Sequence, residues 1–420
     1  MAQQQQQQQQ PAAEQQEQGF WLFDGLNEEP YGLLPLVNLM GKGGPTSVKS
    51  VQRIGSYQWR LEDDEPVILV PGMPLESFYW AGGRLKQDGG VVIYNVNHLK
   101  VRDGQLDSAI LAAKLFGTKA KKEINFDEFD IITDAINLQK IFAFAQEAGE
   151  GLFRIDCERV GKTMLMSRME ASDLMEIGHM TFDQGLKAKM AKPRSKHCTG
   201  PFFQLVSFQF GQFKILARYE VDCADFAAAK AEPFQESEEL PQKQQFEENS
   251  SIGYIEFGQV PSNLPLQLVT TYPQGAGFPF FTWGQMFFTS ADQEVVGFFK
   301  GNGDFSKPAF YGLNDISKLT HALPNLQIKN YMKPLPYAAL SKVHDCLYKV
   351  RLFLLRNDPK LRFGLIWKGK GHLEIYTKAP RAEGAVSKSV LDFLQTQCKS
   401  PEENDIGKNG QQQQQATSTE

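Results

Sequence analysis

The sequence predicts a single domain of mixed α/β (α+β) class, with a curved mixed sheet flanked by helices. Short β-branched and aromatic runs bounded by turn residues, such as "PVILVPG" (66–72), read as strands. The stretch "FQLVSFQFGQFKILARYEVDC" (203–223) reads as two strands meeting at a tight turn. Between such runs, "QLDSAILAAKLF" (105–116) and "INLQKIFAFAQ" (136–146) place apolar residues at helical spacing. Strand runs broken by helices, with hairpins present, belong to an α+β layer arrangement.

The remaining elements follow in chain order. "GLFRIDCERV" and "KTMLMSRME" look like paired strands joined near Gly161. "ASDLMEIGHMTFDQGLKAKMA" (171–191) suits a helix with Ser172 or Asp173 as its N-cap. After the hairpin comes the acidic, glutamine-rich segment 230–250, read as an insertion loop because strand-like residues stand on both sides. A strand "LPLQLVTTY" (264–272), the aromatic run "FPFFTWGQMFFTS" and a strand "QEVVGFFKG" lead to a long amphipathic helix at 337–355. Strands "RFGLIWKG" and "HLEIYTKA" and a last helix "SVLDFLQTQC" close the fold.

The domain spans 19–400. Residues 1–18 and 401–420 are glutamine-rich low-complexity tails with little apolar surface to bury, expected to be disordered. A hydrophobic fraction of 41% over 420 residues suffices for a full core. The net charge of −5 excludes a global basic footprint, so any nucleic-acid contact rests on a local groove. No apolar run approaches the ~20 residues of a membrane span. The five cysteines are scattered without a Cys-x-x-Cys pair, which implies reduced thiols in the cytoplasm or nucleus. The six histidines lack metal-binding spacing.

Chemistry concentrates at the end of the hairpin. Residues i and i+2 of a strand share a face, so Glu220 and Asp222 stand side by side with Cα atoms about 6.5 to 7 Å apart. Two carboxylates that close repel unless a proton or cation lies between them. A hard divalent ion such as Mg2+ answers that need, and so does an ion pair with Arg218 or Lys214 on the same side. Positive charge collects at 114–122 and in "LKAKMAKPRSKH" (186–197), either a solvated helix end or a bed for a phosphate backbone. The run "GAGFPFFTWGQMFF" reads as core packing before base stacking. "GKGGPTS" (41–47) lacks full phosphate-loop spacing and is read as a flexible loop, and "EDDEP" (62–66) as a turn.

The order of these features resembles the decapping exoribonuclease family, intracellular enzymes related to the PD-(D/E)XK nucleases that act on RNA 5′ ends. The family pattern is a glycine motif ending in an acid on a helix, a Glu-x-Asp strand, a Glu-hydrophobic-Lys strand and then a glutamine. "IGHMTFDQ" resembles the first and offers Asp183, and "YEVDC" matches the second with Glu220 and Asp222. "LQLVTTY" stands at the third, and "WGQMFF" offers Gln285. The similarity spans roughly residues 65 to 318 and suggests a divergent branch. It implies a PD-(D/E)XK-like core, with Glu220, Asp222 and Asp183 holding Mg2+ or Mn2+ and Gln285 positioning water or a phosphate. RNA 5′ ends are the implied ligand, and an exoribonuclease a possible protein partner.

One departure bears on activity. Where the family has Glu and Lys, this chain has Gln267 and Val269, around Leu268. A single oriented electrostatic group is commonly worth ~3 to 4 kcal/mol of catalysis, so losing two points to weakened or absent turnover. The same scaffold could serve as a non-catalytic interaction protein.

Overall fold

In the computed structural model, the described residues are 20–146, 151–177, 181–246, 250–275, 280–316, 337–380 and 382–398. The tails at 1–18 and 401–420, and His179, lie outside them. Two sheets carry the fold. The larger has twelve strands, with the predicted hairpin, Phe202–Phe210 and Phe213–Val221, near its middle. Val48–Trp59 flanks the hairpin on one side and the parallel strand Ile131–Asp134 on the other. Register shifts at Leu205/Val206 and Ser207/Gln209 bend the sheet against Val48–Trp59. Mixed pairing and curvature match the predicted class.

The smaller sheet has eight strands, and Cys223–Ala224, Leu266–Pro273 and Gln293–Phe299 lie side by side within it. The tightest passage of the chain from one sheet to the other lies at the end of the hairpin. The hairpin strand leaves the large sheet at Val221, and after Asp222 it enters the small sheet as Cys223–Ala224. Asp222 therefore sits on the seam.

Most predicted elements form where expected, including helices Asp107–Lys119, Ala135–Ala145, Tyr337–Arg356 and Lys388–Gln397. The aromatic run forms a helix, Phe280–Thr289, whose Trp283 stacks on Phe142 and Phe287 at 5.8 and 4.9 Å between ring centroids. Core packing is thus its role at Trp283, Met286, Phe287 and Phe288. The 230–250 segment contributes a two-residue edge strand, Gln244–Gln245, and Glu236 accepts bonds from Ser195 and Lys196.

The expected helix over 171–191 is a correction. Leu174–Glu176 is a strand paired with Val91–Ile93, and the helix spans only Asp183–Met190. Neither proposed cap serves a helix: Ser172 Oγ accepts from Leu174 in a tight turn, and Asp173 receives His98 Nδ1 at 2.8 Å. The short helix is capped from elsewhere. Asp88, buried and 95 positions upstream of Asp183, accepts the amides of Gln184 and Gly185 at 3.0 and 2.9 Å. Local spacing could not show a cap supplied across the fold.

The core's main polar element lies under the hairpin. Arg218 is 1% exposed and meets both oxygens of Asp134 at 2.6 and 2.9 Å. Its remaining donors reach Tyr57, Ser108 and the Gln105 carbonyl. Burial pushes the Tyr57 hydroxyl up to about 12, against the pull of Arg218. Removing one partner of such a pair strands the other charge in the core, at a cost of about 3 to 5 kcal/mol. Asp134→Ala is therefore expected to lower stability by about that much in urea unfolding, and a loss under 1 kcal/mol would contradict this account.

Candidate functional site

The acid pair lies at the seam between the sheets. Asp183 opens the helix Asp183–Met190, which packs on the strand Leu266–Pro273. One turn along that helix, Lys187 reaches across to Asp222 and forms an ion pair with Oδ1. The other oxygen of Asp222 accepts the Val269 amide at 2.7 Å. Asp183 accepts the Thr271 hydroxyl at 2.7 Å. Val269, without a polar side chain, thus still takes part through its backbone.

The fields follow from this geometry. Burial works against the charge of Lys187, but Asp222, Glu220 and Asp183 outweigh it and hold the ammonium above the ordinary lysine range. Burial raises Glu220, Asp222 raises it further, and Lys187 and Arg168 oppose both. Glu220 is exposed to solvent at the end of its strand, with many protein atoms near its carboxylate. Burial likewise lifts Asp183, against the Thr271 bond and Lys187. Lys187 is thus paired directly with Asp222, and Glu220 and Asp183 are near enough to act on the same ammonium. Arg218, the alternative counter-ion considered for the pair, is committed to Asp134, and Lys214 to Glu128.

Gln285 does not join them: among the described residues its side chain makes no hydrogen bond with this group, and its carbonyl receives the Thr289 hydroxyl. Gln267, where the family pattern has an acid, is buried and neutral. Its amide donates to Gln293 at 2.9 Å and its oxygen receives the Cys223 thiol at 3.4 Å.

The residues do not fit a divalent cage. Among the described residues no group of three or more His, Cys, Asp or Glu side chains is placed to hold a metal ion. Both oxygens of Asp222 are engaged and Lys187 stands among the carboxylates, which leaves Glu220 as the open one. Of the expected set Glu220, Asp222 and Asp183, Asp222 is paired with Lys187 and Asp183 with the Thr271 hydroxyl.

Two participants escaped sequence reasoning. Lys187 follows Asp183 by four positions and so shares its helix face, a legible spacing once the helix start is known. Glu294 sits in the strand Gln293–Phe299, 1% exposed, with Oε2 unpartnered. Burial, then Asp222, drives its carboxyl well above the ordinary range, with Lys187 opposing and Asp183 adding. A charged residue inside "QEVVGFF" was the available signal.

Two cavities among the described residues lie elsewhere. A groove of about 1040 Å³ runs beside Val51–Ser56 and Val260–Leu264, but its Arg53, Lys119 and Lys214 are each paired with a carboxylate. A second, of about 530 Å³, lies under the 41–47 loop. That loop is pinned to the long helix, with Gly44 N on Ser341 Oγ at 3.2 Å, and His344 packs on Phe213. Neither cavity is lined by Asp183, Lys187, Glu220 or Asp222.

A family model described as a domain of unknown function (DUF8563) matches residues 42–253, a range that includes Asp183, Lys187, Glu220 and Asp222. No curated protein matches the chain. Among solved structures, Scheffersomyces stipitis Rai1 aligns with a TM-score of 0.56 at 12% identity, over 88% of this chain and 99% of that one. Candida albicans Rai1, in complex with pU5-Mn2+, gives 0.55 at 13% identity over 87% and 99%. S. pombe Rai1, in complex with 3′-FADP, gives 0.53 at 13% over 82% and 99%. At these identities the likeness establishes the fold.

Removing the resident cation should expose the carboxylates to ions. Lys187→Met is expected to bind Mn2+ in calorimetric titration more tightly than the wild type, and equal or weaker binding would contradict the competition described. A second expectation concerns Glu294. Its proton is held more tightly in the folded chain than in the unfolded one, where such a group titrates near pH 4.3. Stability from this group is present below that value and is lost as pH rises toward the folded pKa. Glu294→Gln should therefore match the wild type in urea unfolding at pH 4.5 and exceed it at pH 8. A gap of equal size at both values would refute it.

Proposed function

We propose that this chain, which belongs to the DUF8563 family, is a divergent decapping-nuclease-like protein that engages RNA 5′ ends with hydrolysis weakened or lost. The observation that carries this reading is the placement of Lys187 among Asp183, Glu220 and Asp222 on a Rai1-like fold. The acids named by the resemblance come together, which supports common descent of the site. Their charge is met by an ammonium, and Gln267 and Val269 offer neither an acid nor a lysine, which supports loss of catalytic power. Mg2+ is commonly held by one or two carboxylates together with substrate phosphates, so Mn2+ or Mg2+ belongs in any test.

A non-catalytic role beside a protein partner, such as an exoribonuclease, rests on the same neutralised site. Cytoplasm or nucleus is the compartment that fits free thiols and an RNA ligand; among the described residues no helix is long and apolar enough to cross a membrane.

The test is incubation of 5′-triphosphate RNA and unmethylated-cap RNA with Mn2+, comparing wild type with Glu220→Ala plus Asp222→Ala. Binding with a preference for the 5′ end is expected, with turnover absent or slow and, if slow, abolished in the double variant. Rates on the order of 1 to 10³ s⁻¹, ordinary for an enzyme, would overturn the weakened-catalysis reading. No RNA binding at all would leave the protein-partner role.

A further inference from the structure

An aromatic and basic surface adjoins the acid site and belongs to none of the machinery above. The small-sheet strand Glu76–Ser77 lies between Ala191–Lys192, which continues the acid helix, and Cys223–Ala224, which continues the acid strand. The next residues, Phe78 and Tyr79, are 42% and 71% exposed. Their backbone is fixed at both ends. Phe78 N donates to the Met190 carbonyl at 2.6 Å, three residues beyond Lys187, and Trp80 turns inward onto Phe305 at 5.9 Å between ring centroids. At Gly82, with φ +99°, a Cβ would come within 2.7 Å of the Phe305 carbonyl oxygen, so this close backbone approach requires glycine.

Charge accompanies the rings. Lys192 Nζ stands 5.3 Å from the Phe78 centroid and Lys307 Nζ 5.0 Å from that of Tyr79. Among the described residues neither lysine has a carboxylate partner, whereas Glu76, in the strand before the rings, is met by Arg194 at 3.4 Å. Lys189, on the same helix as Lys187, is exposed as well. Exposed rings normally cost solvation and mark a binding surface, and the ammonium groups beside them call for an anionic partner. Flat rings alternating with positive charge match one ligand chemistry: unpaired bases that stack, linked by phosphates that pair with lysine.

We propose that Phe78 and Tyr79, flanked by Lys192 and Lys307, form a stacking platform for single-stranded RNA beside the acid cleft. This rests on the RNA reading above and deepens it. The platform holds the strand without regard to its terminus, while the cleft discriminates the 5′ end. It also gives part of the basic run 186–197 a ligand, since Lys192 stands beside Phe78.

The experiment measures fluorescence anisotropy of one labelled RNA in three forms: 5′-hydroxyl single strand, 5′-monophosphate single strand, and duplex. Phe78→Ala plus Tyr79→Ala is expected to weaken both single strands by roughly tenfold or more while keeping the ratio between them. Phe78→Trp plus Tyr79→Trp should restore binding, which separates stacking from a folding defect. Lys192→Gln plus Lys307→Gln should reduce the salt slope by about 0.7 per lysine. Unchanged single-strand affinity in the alanine variant, or duplex binding as tight as single-strand binding, would overturn the platform and turn the rings over to a protein contact. A wild type that binds none of the three forms would instead overturn the RNA reading itself.

Discussion

Three carboxylates in one cleft repel one another, and burial sharpens the repulsion because little water intervenes. What allows Asp183, Glu220 and Asp222 to share the seam is the ammonium of Lys187, held there by all three. The neighbouring structure follows from that arrangement. The short helix must lie flat on Leu266–Pro273 for Lys187 to reach Asp222, and the backbone of Val269 must stay in register to satisfy the second oxygen. Glu294 feels the same charges, and burial followed by Asp222 drives its carboxyl well above the ordinary range, with Lys187 opposing.

The architecture was legible because its strands and helices carry strong periodic patterns. The hairpin, the helices at 107–119 and 135–145 and the closing strands all obey local rules of burial and turn chemistry. The failure at 171–191 has a particular cause. Apolar residues there fit a helical period, but Leu174–Glu176 finds an edge partner in Val91–Ile93, and the helix start is fixed by Asp88. Tertiary contacts overrode local preference.

The site was legible in its acids and not in its cation. Glu-x-Asp on a strand announces itself by spacing, and the order of motifs led to Asp183. A one-dimensional comparison registers Val269 as a missing lysine but cannot register a lysine supplied from another element. Lys187 stands 82 positions earlier in the chain, yet it reaches the same carboxylate whose other oxygen the 269 amide holds. Gln285 shows the opposite case: its motif is present, while its helix packs Trp283 and Phe287 into the aromatic core.

The cap that Asp88 places on the acid helix has a consequence for anyone mapping this protein by random mutation. Loss of that carboxylate would loosen the first turn and let Lys187 drift, so function would fail at a position that touches no ligand. A screen would score Asp88 beside the true cleft residues, and its aspartate identity would invite assignment as one more ligand. Only its two bonds to helix amides reveal it as an anchor, the peg on which the whole charged assembly hangs.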